Sequence, residues 1–137
     1  MPSDFNQKVI GEFRANEGRV GGILQGSPIV LLTTTGARSG RSITTPLVYL
    51  PDGDRQVIIA SNGGADTHPA WYHNLRATPE ATVEIGTETF GVRAEFVDGD
   101  ERDRLYARMV AQAPQFADYE AKTTRRIPVV ALLRTVN

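Results

Sequence analysis

At 137 residues the chain has the length of one compact domain, enough for a single core and too short for separate cofactor and substrate domains. Charged residues are 23% of the chain and the formal net charge is -1, so the charge balance gives no electrostatic case for nucleic acid or an anionic membrane surface as partner. With no cysteine, disulfides, thiolate metal sites and thiol redox relays are excluded, and a reducing cytoplasm suits the composition.

The opening residues Met1-Pro2-Ser3-Asp4-Phe5-Asn6-Gln7-Lys8 lack an apolar signal core, and no run approaches the roughly 20 apolar residues of a spanning helix. A cytoplasmic protein without stable membrane insertion is expected. Ser3 through Gly18 reads as a first helix, with Ser3 as N-cap, Phe5, Val9, Ile10 and Phe13 on one stripe, and Gly18 as its stop. After a glycine-broken stretch, Ile29-Val30-Leu31-Leu32-Thr33-Thr34-Thr35 reads as a buried strand from its β-branched density. A second strand is expected from about Thr44 to Leu50. The turn chemistry of Pro51-Asp52-Gly53-Asp54 then returns Arg55 to Ser61 as a hairpin partner.

The period next becomes helical from His68 to Ala77, with Asp66 or Thr67 as cap and Trp71, Tyr72 and Leu75 inward. Ala81 to Ile85 and Phe90 to Val97 alternate apolar and polar residues about Gly86, the pattern of a half-exposed hairpin. Glu101 to Gln112 is a helix with Leu105, Met109 and Val110 as its stripe, and acids near its positive end. Pro114 to Lys122 suits a short further helix, and Ile127 to Leu133 a last buried strand. Six strands joined by hairpins, with helices that never alternate regularly with them, predict a mainly β, α+β domain: an antiparallel barrel with helical insertions spanning 1-137. Residues 1-21 are its N-terminal helix and connector, and 22-137 the barrel. No strand, G-x-G-x-x-G turn and helix occur in the order that a dinucleotide fold needs.

Three stretches can carry chemistry. The loop Gly36-Ala37-Arg38-Ser39-Gly40-Arg41 combines glycine-freed amides, a hydroxyl and two forked cations, which suits a phosphate, although a solvated basic hairpin loop has the same composition. Ser61-Asn62-Gly63-Gly64, running into Trp71-Tyr72-His73-Asn74-Leu75, forms a strand end and helix start that a planar ligand can approach; Trp71 and Leu75 equally suit a core. Phe116 and Tyr119 share a helical face as either an aromatic wall or a packing surface. His68 and His73 diverge on a helix without a partner at ligand spacing, so no metal site is expected. Asp98 to Asp103 lacks a calcium loop's closing glutamate, and the chain has no G-x-S-x-G. Catalysis, if any, would therefore have to come from a bound cofactor.

Taken in order, Leu31-Leu32-Thr33-Thr34-Thr35-Gly36-Ala37-Arg38-Ser39-Gly40, Pro46-Leu47, Ser61-Asn62-Gly63-Gly64, Trp71-Tyr72-His73-Asn74-Leu75 and Ile127-Pro128-Val129-Val130 closely resemble the deazaflavin-dependent nitroreductases of actinobacteria. The resemblance implies a split β-barrel, FMN-binding-like, that binds reduced coenzyme F420 and passes hydride to a small electron acceptor: a quinone, an enone or a nitro compound. Carried over by position, Ala37, Arg38, Ser39 and Arg41 form the phosphate loop, and Ile43, Thr44, Thr45, Pro46, Leu47 and Val48 the strand contacts. Ile59, Ala60, Ser61 and Asn62 lie beneath the ring, Ala70, Trp71, Tyr72, His73 and Asn74 supply the helix contact, and Phe116 and Tyr119 fall on tyrosines of the nitroreductase that names the family. Asn62 stands where that nitroreductase has lysine, Phe116 lacks a hydroxyl and Ala113 replaces a third aromatic, so the substrate is not inherited with the fold.

On this basis Ser61 and Tyr119 are the expected catalytic residues, holding a ring or substrate oxygen and polarising the acceptor. Two alternatives stay open: an FMN-dependent reductase or oxidase on the same fold, and a non-enzymatic flavin or tetrapyrrole carrier. A homodimer is compatible with all three.

Overall fold

Alternation along the strands divides the apolar residues between two faces, and the sheet curls to bury both. The computed structural model describes residues 4–135. Seven strands run β1 (Ile29–Thr35), β2 (Ser42–Val48), β3 (Leu50–Asp52), β4 (Arg55–Ile59), β5 (Glu80–Ile85), β6 (Glu88–Val97) and β7 (Val129–Arg134). Four helices accompany them: α1 (Asp4–Ala15), α2 (Ala70–Ala77), α3 (Gly99–Gln112) and α4 (Gln115–Ala121). All pairings are antiparallel, in the order β2-β1-β5-β6-β7-β4-β3. The fold is a split β-barrel, the form that the family resemblance implies for the antiparallel barrel with helical insertions read from the strand pattern.

Period-2 alternation sorts the core. Val30, Leu32, Ile58, Ala60, Val130 and Leu132 point into the barrel with Trp71 and Leu75 of α2. Their neighbours Val57, Ile59, Val129 and Ala131 point outward against Leu105, Met109 and Phe116 of α3 and α4. Ile29 and Leu31 back onto Val9, Ile10 and Phe13 of α1.

The strand expected from Thr44 to Leu50 is in fact two. At Tyr49 the chain leaves β2: its amide donates to Pro28 O at 3.0 Å, and its carbonyl accepts from Gln112 Nε2 at 3.0 Å. Leu50–Asp52 then pairs with β4 through the Gly53-Asp54 turn, so Arg55 to Ile59 is the partner of β3 and β7 and never of β2. Thus β2 and β3, consecutive in the chain, are the two edges of the sheet, and each carries a proline, Pro46 and Pro51.

Smaller differences have local causes. The N-cap expected at Ser3 lies outside the described residues. Phe5 is 49% exposed, not on the buried stripe. Helix α2 begins after Pro69 without a side-chain cap, because Asp66 instead accepts from Thr123 Oγ1. Gly18 ends the first helical segment with φ +94, where its bare Cα lies against the β5–β6 turn: a Cβ there would stand 2.6 Å from Gly86 Cα. That backbone contact, with the Arg14–Glu84 ion pair at 2.8 Å, seats α1 across the sheet.

Buried Arg102 of α3 was not anticipated as a core residue. Its Nε and Nη2 donate to Ile127 O at 3.1 and 2.8 Å, and its guanidinium stacks over Tyr106 at 4.6 Å. Tyr106 in turn donates to Phe116 O at 2.7 Å, and burial pushes its phenol up to about 12. Arg102→Met keeps the apolar stem but orphans a buried carbonyl. It should lower unfolding free energy by about 1.5–3 kcal/mol, the range for hydrogen bonds to a charged group, as read from urea denaturation.

Candidate functional site

Between the edge strand β2 and the end of β4 lies a cleft of about 990 Å³, the size of a cofactor site. The edge strand β2 forms one side through Ser42, Ile43, Thr44, Thr45, Pro46 and Leu47. Being an edge, it offers backbone groups that no neighbouring strand uses. The floor is Ile59, Ser61, Asn62 and Gly63, where β4 ends, and the start of α2 adds Pro69, Ala70 and Trp71. Ser39 and Arg41 of the β1–β2 loop stand at one end, and Asn6, Gln7, Ile10 and Arg14 of α1 form the remaining wall.

The loop at the cationic end is rigidly built. Gly36 N donates to Arg41 O at 2.8 Å and Gly40 N to Gly36 O at 2.9 Å; Arg41 N donates to Ser39 Oγ at 3.1 Å. Gly36 is needed because a Cβ there would lie 2.5 Å from Ser39 Oγ. Ala37 N donates to the Asn74 Oδ1 atom at 2.9 Å, and Asn74 Nδ2 donates to Thr34 Oγ1 at 3.1 Å. The amides of Gly36, Ala37, Gly40 and Arg41 are therefore engaged within the protein, which narrows the expected amide cradle to Arg38 and Ser39. Side-chain charge stands beside them: Arg38 and Arg41 are exposed, and neither guanidinium has an ion pair or hydrogen bond among the described residues.

Of the residues singled out from sequence, Ser39, Arg41, Ile43, Thr44, Thr45, Pro46, Leu47, Ile59, Ser61, Asn62, Ala70 and Trp71 converge on the cleft. The others do not line it. Val48 points to the α1 and α3 side, one step out of phase with Leu47. Ala60 faces the barrel interior, one step out of phase with Ile59 and Ser61. Tyr72 leans on Phe96, with ring centroids 5.8 Å apart, and His73 is exposed on the outer side of α2. Asn74 is buried and holds the loop. Ala37 and Arg38 form the loop tip outside the cleft.

The aromatic pair of α4 also lies behind the floor. Phe116 is buried against α3 and Tyr119 packs on it edge-on at 5.2 Å, with the Tyr119 carbonyl side of the helix against Gly64. Neither reaches the cleft lining. Conversely, the α1 wall was missed, since sequence reading set residues 1-21 apart from the barrel. The one available signal was that polar Asn6 and Arg14 recur at helical spacing on either side of Ile10.

Comparison with known proteins gives the family and the fold. The family model described as F420H2-dependent quinone reductase matches residues 7–134. The F420H2-dependent quinone reductase Rv1261c of Mycobacterium tuberculosis is 41% identical over 128 residues, covering 89% of this chain and 85% of the relative. The solved F420-H2 dependent reductase FDR-A superposes with TM-score 0.71 at 38% identity, over 77% of this chain and 93% of that one. A structure described as a domain-swapped dimer gives TM-score 0.73 at 34% identity, over 90% and 93% respectively.

Among the described residues, Asn74 supplies the side-chain hydrogen bonds that tie α2 to the loop and to the end of β1. Asn74→Ala strips both bonds and leaves Ala37 N and Thr34 Oγ1 without their buried partner. The expected cost is about 1–3 kcal/mol in thermal or chemical denaturation, together with faster amide exchange at Ala37.

Proposed function

Because the chain belongs to the F420H2-dependent quinone reductase family, we propose that its cleft holds coenzyme F420 with the anionic tail toward Arg41 and the ring along β2, leaving the α1 side to the acceptor. The family's cofactor is coenzyme F420 and the chain is an oxidoreductase of that family. The observation that carries the orientation is the asymmetry of the cleft: two cations without protein partners stand at the loop end, and Leu47, Pro46, Ile59 and Trp71 supply apolar surface elsewhere. An amphipathic cofactor with a phosphate on one end of a planar ring matches that donor set.

When bound, reduced coenzyme F420 supplies a hydride from its deazaflavin ring to an organic acceptor. The protein's part is orientation and charge. Arg41 and Ser39, with Arg38 at the rim, would hold the phosphate, and Thr44, Thr45 and the open β2 edge would hydrogen-bond the ring. Ile59 and Trp71 exclude water from the reacting face, which keeps the acceptor oxygen dependent on protein donors. Ser61 Oγ, 7% exposed as a residue and on the floor, donates to the acceptor oxygen as negative charge develops there. Because Tyr119 sits behind that floor, the polarising role passes to Ser61, and solvent completes protonation.

A quinone is the acceptor class, supported by the family's name and by the apolar rim that Ile10 adds opposite Leu47. A homodimer is proposed from the related structure described as a dimer. Among the described residues no helix is long and apolar enough to cross a membrane, and a cysteine-free chain accords with the cytoplasm.

Fluorescence titration with coenzyme F420 and FMN tests the cofactor; FMN binding as tight or tighter would sink the assignment. Arg41→Ala should weaken coenzyme binding by about 1.5–3 kcal/mol, and Arg38→Ala by less, since only Arg41 lines the cleft. Ser61→Ala should leave that affinity nearly unchanged while single-turnover oxidation of the reduced cofactor by a small quinone slows about 10- to 1,000-fold. Parental turnover in Ser61→Ala would remove Ser61 from the chemistry.

A further inference from the structure

We propose that Arg125, in the segment between α4 and β7 and outside the cleft lining, is a positioning residue that fixes the floor on which the reaction takes place. The inference rests on the proposed function insofar as that floor is Ser61 and Asn62. Three carbonyls of the floor loop converge on its guanidinium: Nε donates to Ala65 O at 2.9 Å, and Nη2 donates to Ala60 O at 3.2 Å and Ser61 O at 2.8 Å. The fourth contact, Nη1 to His68 Nδ1 at 2.9 Å, fixes a protonation state. Arginine has no acceptor, so Nδ1 must accept and His68 is neutral with its proton on Nε2.

The loop needs this support. Asn62, Gly63 and Gly64 have φ of +50, +64 and +87 in succession, and a non-glycine residue in that region is held there only by its surroundings. Asn62 Nδ2 contributes one bond, to Thr67 O at 3.1 Å. The rest comes from the α4–β7 side. Thr123 Oγ1 donates to Asp66 Oδ1 at 2.9 Å and accepts from Arg125 N at 3.2 Å, and Gly64 lies so close to Tyr119 O that a Cβ would meet it at 3.0 Å. A planar fork with divergent donors can bridge carbonyls four residues apart; a lysine ammonium at the end of a flexible stem cannot hold the same set.

The arrangement is sensitive to acid. His68 faces Arg125 from the α4–β7 segment, and Tyr72 and His73 of α2, with ring centroids at 4.7 and 5.7 Å. Burial, then the Arg125 charge, then His73 lower its pKa below the usual 6.5. A base whose folded pKa is depressed favours the neutral form, so its contribution is complete above 6.5 and is lost as pH falls through the lower folded value. Once protonated, His68 loses the acceptor and sets a second cation beside Arg125.

Arg125→Gln, Arg125→Lys and His68→Gln are compared with the parent for kcat and KM with reduced coenzyme F420 and a small quinone, for melting temperature, and for amide exchange at Asn62 to Ala65. In Arg125→Gln, kcat should fall about 10- to 100-fold, the effect of misplacing reacting groups by about 1 Å, with quinone KM changed less than about 3-fold. Amide exchange in the floor loop should rise by about 10-fold. Arg125→Lys should recover less than half of the lost activity, on a log scale, despite its charge. His68→Gln keeps an acceptor that does not titrate, so the fall in kcat below pH 6.5 seen in the parent should disappear. Parental kcat per folded molecule in both arginine variants, even with a lower melting temperature, would overturn the inference. If the parent itself does not oxidise the reduced cofactor, the proposed function fails instead, and unchanged floor-loop exchange in Arg125→Gln and Arg125→Lys would then overturn this inference independently.

Discussion

Everything in this structure depends on one corner. Two strands that follow each other in the chain with only Tyr49 between them cannot be neighbours in a ladder, yet must start and end the same sheet. The sheet has to curl until its edges meet around that residue. Tyr49 permits this because both of its backbone groups are satisfied outside the ladder, the amide by Pro28 and the carbonyl by Gln112, while its ring helps to fill the barrel. A buried turn of the chain without those two bonds would carry orphaned polar groups. The cleft lies along the free side of β2 and the end of β4, which the curl brings to face each other.

That origin explains why the site draws on so many elements. Beta-strand edges give it a backbone wall, the end of β4 gives it a floor, and helices close the open sides. The loop and the floor are held from behind by polar ties outside the cleft, Asn74 for the cationic loop and Arg125 for the floor, while α1 is held by the Gly18 contact and by Arg14, whose ion pair with Glu84 sits at the cleft wall. The pattern is one of apolar burial fixing the barrel and single hydrogen-bonding side chains fixing the parts that move most easily against it.

Much of this was legible in the sequence, for identifiable reasons. The β5–β6 hairpin announces itself through strict alternation about Gly86, and Gly18 through its place after an amphipathic run. Most cleft residues came from resemblance rather than pattern, and there the errors follow strand phase. Ala60 is flanked by the cleft residues Ile59 and Ser61 but points to the opposite face, as a period of two requires, and Val48, one residue past the cleft-lining part of β2, packs toward α1 and α3. Tyr49 was not legible as a corner, because an unbroken apolar stretch looks the same whether it continues one strand or starts another. Nor were Asn74, Arg102 and Arg125 legible as ties: their partners lie 37, 25 and 64 residues away, and a lone polar residue in a helix or basic segment otherwise reads as solvated surface.

The prolines on the two edge strands have a consequence for how the molecule behaves among its own copies. Open strand edges are templates for intermolecular pairing, and a barrel left unzipped exposes two of them. Pro46 and Pro51 remove a donor from each edge, so neither offers a continuous register to a foreign strand. Pro51 stands on β3 away from the cleft, but Pro46 lines it. At β2, therefore, the residue that discourages edge-to-edge polymerisation is also part of the wall that faces a ligand.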